Sequence, residues 1–296
     1  MKKGTQFIVL TCLASWTIAG VAIWLGLHEA KGLLYTIFAA GYMLLPAVCA
    51  IILQKIHKEK PFSNLRVSFR FNRWFLVAGA IPVLFTFMTL GINLLFPYVS
   101  FSANFEGLLS RLPAEQATLV TEQLSKFPPA VFLLITLIQV IIAGYTINAF
   151  FALGEELGWR GYLLQALKGK QFLSVSLITG FVWGLWHFPL ILIGHNYPQH
   201  PTLGVGMMII WCILLSPVMT YIAIKAKSVI TAAIYHGTLN AVAGIATLYI
   251  VGGNDLINGV TGISGFITLL SINIAFFMYD KYITKENIFT KEIEEY

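Results

Sequence analysis

Eight apolar stretches, each about 20 residues long, follow one another through this chain, and each is long enough to cross a bilayer core of roughly 30 Å as a helix. They lie at 6–26, 33–54, 74–96, 131–153, 172–193, 204–224, 228–250 and 261–279. Backbone polar groups in lipid must be satisfied internally, so runs of this kind fold as helices. The expected fold is an all-α polytopic membrane protein, a bundle of about eight transmembrane helices forming one membrane domain over 1–296. Composition agrees: 57% of residues are hydrophobic and 11% charged, against about 25% charged in a soluble domain. Met1-Lys2-Lys3 resembles the start of a signal peptide, but the apolar stretch from Phe7 to Leu25 is too long for one and spans instead.

The net charge of +6 is explained by topology. With the N-terminus inside, every basic residue except Lys31, Arg111 and Lys126 falls in an inside segment. That bias predicts both termini cytoplasmic in the cell membrane, and no nucleic-acid partner. The long outer segment 97–129 carries Leu108, Leu109, Leu112, Leu119 and Leu124 at roughly helical spacing among polar residues. An amphipathic surface helix is expected there. Cys12, Cys49 and Cys212 lie in apolar spans and read as small core hydrophobes. His28, His57, His195 and His200 read as solvated loop residues, the last two able at most to take up metal adventitiously.

Carboxylates are kept out of the spans except at one place. Glu155 and Glu156 end the fourth apolar run, with Arg160 after them, while the other acids, Asp280 included, fall in loops or near the C-terminus. An ionisable residue next to hydrocarbon is a functional hypothesis by default. Glu156 and Arg160 are four apart and share a helix face, so they suit an ion pair. Glu155 points about 100° away and is free to act as a general base. Taken alone, the group reads equally well as a solvated interfacial pair. His187 follows Trp183 by one turn, and the indole can wall and desolvate the imidazole. His236 and Asn240 are again four apart, and an imidazole and an amide on one face can stabilise an oxyanion. A satisfied core histidine and an interhelical clasp are the plain alternatives.

In combination, E-E-x-x-x-R, aromatic-x-x-x-H and H-x-x-x-N on successive spans resemble the CAAX-protease and bacteriocin-processing (CPBP, or Abi) family of intramembrane endopeptidases, over roughly residues 130–250. Trp183 stands where the commonest family pattern has Phe, and keeps an aromatic wall. The resemblance implies that Glu155, with His187, activates a water, that His236 and Asn240 hold the oxyanion, and that Glu156 and Arg160 hold the site together. It also implies a membrane-associated or lipidated peptide substrate, prenylated or bacteriocin-like, and a glutamate-driven mechanism without a cofactor. Two histidines and a glutamate could instead form a zinc set with an open position, although H-E-x-x-H is absent.

These residues meet only if the fourth helix runs unbroken through Glu155 to about Leu167 and the fifth is short or displaced. The competing functions are a proton- or ion-coupled transporter, which would more often show a repeated half or paired broken helices, and a non-catalytic scaffold on the same fold.

Overall fold

The structure is a computed structural model that describes residues 2–27, 33–110, 112, 114–124 and 126–294. The reading of His28 as solvated and the outer placement of Lys31 and Arg111 lie outside the described residues. The chain is an all-α bundle. Helix α1 spans Lys3–Trp24, α2 Leu33–Met43 and α3 Leu45–Ile56, the last two together forming one crossing. Helix α4 follows at Arg73–Asn93, and the 97–129 segment carries two short helices, α5 (Glu106–Leu109) and α6 (Ala114–Leu124). The single surface helix expected there is thus divided, and its leucines separate: Leu108 and Leu124 pack inward while Leu119 is exposed.

The fourth crossing departs most from expectation. Helix α7 (Pro129–Tyr145) and α8 (Ile147–Glu156) meet at a 43° bend, with Thr146 at φ −121°, ψ −101°. After Glu156 the helix widens into a π-helical stretch, Leu157–Leu163, before the short α9 (Leu164–Ala166). The crossing is therefore broken, but its second limb does run continuously past Glu155, into a buried segment rather than an interfacial one.

The fifth apolar stretch forms a helix too short to count among the crossings. Helix α10 spans Phe172–Trp186, and α11 (Phe188–Leu192) sets off separately. The carbonyl of Trp186 accepts from the Tyr42 hydroxyl at 3.2 Å and the Trp16 indole at 3.3 Å. Pro189 in the first turn of α11 has no N–H to continue the ladder. His187 thus lies at a junction rather than inside a helix. Helices α12 (Pro201–Ala226), α13 (Val229–Val242), α14 (Ile245–Leu248) and α15 (Ile263–Met278) complete the bundle. Among the described residues six helices are long and apolar enough to cross a membrane, with the bent α7–α8 pair as a seventh crossing.

Contacts sort the connecting segments to two ends. Lys3 pairs with Glu59, Val229 N–H donates to the Arg66 carbonyl, and Phe172 N–H donates to the Lys291 carbonyl. These basic segments therefore gather at one end. At the other, a strand β1 (Ser100–Phe101) pairs antiparallel with β2 (Ile250–Val251), and Tyr197 donates to the Thr261 carbonyl at 2.7 Å. Asp280, expected in a loop, is buried and accepts from Phe289 N–H at 3.2 Å and Tyr221 at 3.3 Å.

Small residues bring the site helices together, as is usual where lipid supplies no hydrophobic drive between helices. On α10, a Cβ at Gly184 would lie 2.5 Å from Ile209 Cα of α12. On α13, a Cβ at Gly237 would lie 2.5 Å from the Ala149 backbone nitrogen of α8. Gly237 immediately follows His236, so this approach sets how closely the imidazole reaches α8. Gly237→Val should overpack the contact, destabilise by about 1–3 kcal/mol and lower Tm in detergent. An unchanged Tm would show that the helices separate freely.

Candidate active site

Glu155, Glu156 and Arg160 stand at the junction of α8 and the π-helical stretch, all three buried. Arg160 Nη1 donates to both oxygens of Glu156, at 3.0 and 3.2 Å, and Nη2 donates to Ser216 Oγ at 3.2 Å. Its guanidinium lies 4.6 Å over the Trp183 ring. From α13, His236 Nδ1 reaches Glu156 Oε1 at 2.9 Å. Both Glu156 oxygens are thus engaged, and Glu156 is not among the residues that line the cavity. The proposed pairing of Glu156 with Arg160 is present. Glu156 lies behind His236 rather than in the cavity lining.

Glu155 points the other way. Its Oε2 accepts the Trp183 indole N–H at 2.6 Å, so Trp183 does more than wall the imidazole. It packs against His187 and His236, with ring centroids 5.9 and 5.4 Å away, and it orients the carboxylate. His187 Nδ1 donates to the Trp183 carbonyl at 2.8 Å. A carbonyl can only accept, so Nδ1 carries hydrogen and Nε2 is the free nitrogen. The Trp186 ring, 4.8 Å away and edge-on, closes the other side of His187.

These groups converge on a cavity of about 320 Å³ lined by Glu155, Trp183, Trp186, His187, His236 and Asn240. Asn240 is exposed within it, one turn beyond the buried His236. Three separated sequence motifs therefore share one space. The bend at Thr146 and the early end of α10 achieve this, where the sequence called for an unbroken fourth helix.

Sequence reasoning missed several contributors. Ser216, Tyr42 and Trp186 lie inside apolar runs, where a hydroxyl or indole gives no separate signal; the Ser216-Pro217 pair in mid-span was the one available hint. The loop histidines were misjudged. His57 pairs with Gln6 at 2.8 Å, His200 with Asp255 at 2.5 Å, and His195 with Tyr35 at 3.0 Å, each half-buried rather than solvated. Among the described residues no three His, Cys, Asp or Glu side chains form a group placed to hold a metal ion. The three cysteines are buried and free.

One cavity among apolar helices is thus lined by a carboxylate, two imidazoles and an amide, the groups that a membrane-embedded hydrolase would need. Residues 126–242, which carry all of these groups, match the Rce1-like family of type II CAAX prenyl endopeptidases. The chain is also 27% identical over 213 residues to CAAX prenyl protease 2 of Methanococcus maripaludis, covering 70% of this chain and 71% of that protein. Over these residues the chain is similar to CAAX-type prenyl endopeptidases.

Two substitutions test this geometry. Arg160→Ala leaves Glu156 buried and short of its cation, which should cost about 3–5 kcal/mol, read as a fall in Tm. Trp183→Phe keeps the wall and removes the donor to Glu155. A neutral donor to a carboxylate is worth about 1.5–3 kcal/mol, so its cleavage rate should fall by about tenfold or more, and that of Trp183→Ala further.

Proposed function

We propose that this protease hydrolyses a peptide bond of a membrane-associated, lipid-modified peptide by a glutamate-driven attack of water in the cell membrane. The observation that carries this reading is the fixed carboxylate of Glu155, held by the Trp183 indole at 2.6 Å in the cavity that His187, His236 and Asn240 also line. Oε1 of Glu155 has no hydrogen-bond partner among the described residues, and it and His187 Nε2 are the two basic atoms available to a water. That water gives its proton to Glu155 as its oxygen attacks the scissile carbonyl carbon. The carbonyl oxygen becomes an oxyanion, which the Asn240 amide and His236 Nε2–H stabilise. The proton then passes to the departing amine, and the peptide bond breaks. Glu156 and Arg160 act through His236, fixing its ring by the Nδ1 contact.

The lipid-modified substrate is inferred from the relative's name, CAAX prenyl protease 2, and from a cavity set among apolar helices. The basic end of the bundle is assigned to the cytoplasm by the positive-inside bias.

Cleavage of membrane-tethered peptides, with and without a prenyl group, by purified protein in liposomes tests the reading. Glu155→Ala, His187→Ala and His236→Ala should abolish cleavage, and Asn240→Ala should lower it by about 10²–10³. Cleavage should persist in a chelator. Loss on chelation with recovery on zinc would replace the mechanism with a metal-assisted one, and cleavage surviving Glu155→Ala would sink it outright.

A further inference from the structure

The cavity extends past the catalytic set to His195 and Asn196, in the turn that follows α11. His195 is half-buried there, and its Nδ1 meets the Tyr35 hydroxyl of α2 at 3.0 Å. We propose that His195, held by Tyr35, is a substrate-positioning residue that donates a hydrogen bond from Nε2 to a peptide carbonyl beside the scissile bond. This rests on the protease reading above.

The turn is anchored on both sides of His195. Its own N–H donates to the Leu190 carbonyl at 3.0 Å, and Gly194 takes φ +94° to make the turn. Next in the chain, Tyr197 is fully buried and donates to Thr261, while the Gln199 and His200 N–H groups both donate to Asp255. A ring on so tethered a loop is preorganised. The Tyr35 ring lies tilted against His195, with centroids 6.3 Å apart, and connects through Phe38 and Tyr42 to Trp186 beside His187.

The chemistry of the ring selects the ligand. The proposed tautomer has the phenol donating to Nδ1 and the ring hydrogen on Nε2, an atom with no partner among the described residues. Burial holds this imidazole below its usual pKa, so at neutral pH it is an uncharged single donor. Such a donor suits a peptide carbonyl. Space for the chain exists on the far side: Asn196 and Ala243 line both this cavity and a neighbouring one of about 470 Å³. A peptide whose reacting carbonyl lies at Glu155 and Asn240 can continue past His195 toward that second space.

The test uses the full chain in liposomes and a tethered peptide that the wild type cleaves, with kcat and KM measured separately. His195→Phe keeps the ring volume and removes the donor. It should raise KM about tenfold, the worth of one neutral hydrogen bond, with kcat within about twofold of wild type. His195→Gln restores a donor and should return KM most of the way, a rescue that a purely structural role would not give. Tyr35→Phe should raise KM less. An unchanged KM in His195→Phe, or no rescue by Gln, overturns the assignment. Cleavage retained by Glu155→Ala would instead strike the protease mechanism and leave this assignment to the KM data alone.

Discussion

One buried carboxylate organises the centre of this bundle. Glu156 accepts from Arg160 within its own helix and pairs with His236 across α13, and none of the three is accessible to more than a trace of solvent. Burying these ions costs several kcal/mol each, recovered only where geometry is good and every polar atom is used. Here the fork of Arg160 spans both Glu156 oxygens and Ser216 and its flat face covers Trp183, while its Nε, buried without a partner among the described residues, leaves that recovery incomplete. That stacking is specific to a guanidinium and would be lost with lysine. Trp183 in turn holds Glu155 and gives its carbonyl to His187. The ion pair, the indole and the two remaining site residues thus form one connected structure, and no member moves alone.

Helix geometry explains how that structure is reached from three distant segments. The i, i+4 spacings set Glu156 beside Arg160 and His236 beside Asn240, but spacing fixes only the face, not the depth at which faces meet. Depth is set by irregular backbone: the bend at Thr146, the π-helical stretch after Glu156 and the break at His187. π-Helical insertions are frequent at functional sites because they re-aim side chains. In lipid such breaks survive only where neighbours satisfy the freed groups, and Tyr42 and Trp16 do this at the end of α10. Close approach then follows from Gly184 and Gly237.

Much of this was legible in the sequence. Hydrophobic run length gave the bundle, because the bilayer imposes a length on every crossing. The rarity of charge in lipid made Glu155, Glu156 and Arg160 conspicuous. What was not legible shares one cause. A tryptophan's ring is read as apolar, so the N–H that Trp183 turns toward Glu155 leaves no trace in hydropathy. A histidine in a loop looks the same whether the loop faces water, as expected for His195, or folds back to Tyr35. Asp280 looks like a tail residue until the terminal segment packs over it. Nor does local pattern disclose the bend at Thr146, since threonine is an ordinary helical residue and the packing of α7 and α8 on α13 is a tertiary feature.

The charge balance of the site bears on the chemistry proposed for it. Two carboxylates and one guanidinium leave the group one proton short of neutrality, and that proton can rest on His236 or on Glu155. With it on His236, Glu155 is the charged base and His236 offers Nε2–H to the cavity while Nδ1 stays on Glu156. Attack by water then places a proton on Glu155 and a negative charge on the carbonyl oxygen. The reaction creates no new net charge: it shifts one negative charge from Glu155 toward His236 and Asn240. In a cavity walled by Trp183, Trp186 and Trp211, where little water can rearrange to follow a changing field, fixed dipoles and paired ions must accommodate that shift. The rigid attachment of His236 to Glu156, and of Glu156 to Arg160, meets this requirement, because the groups that receive the charge are already oriented before it arrives.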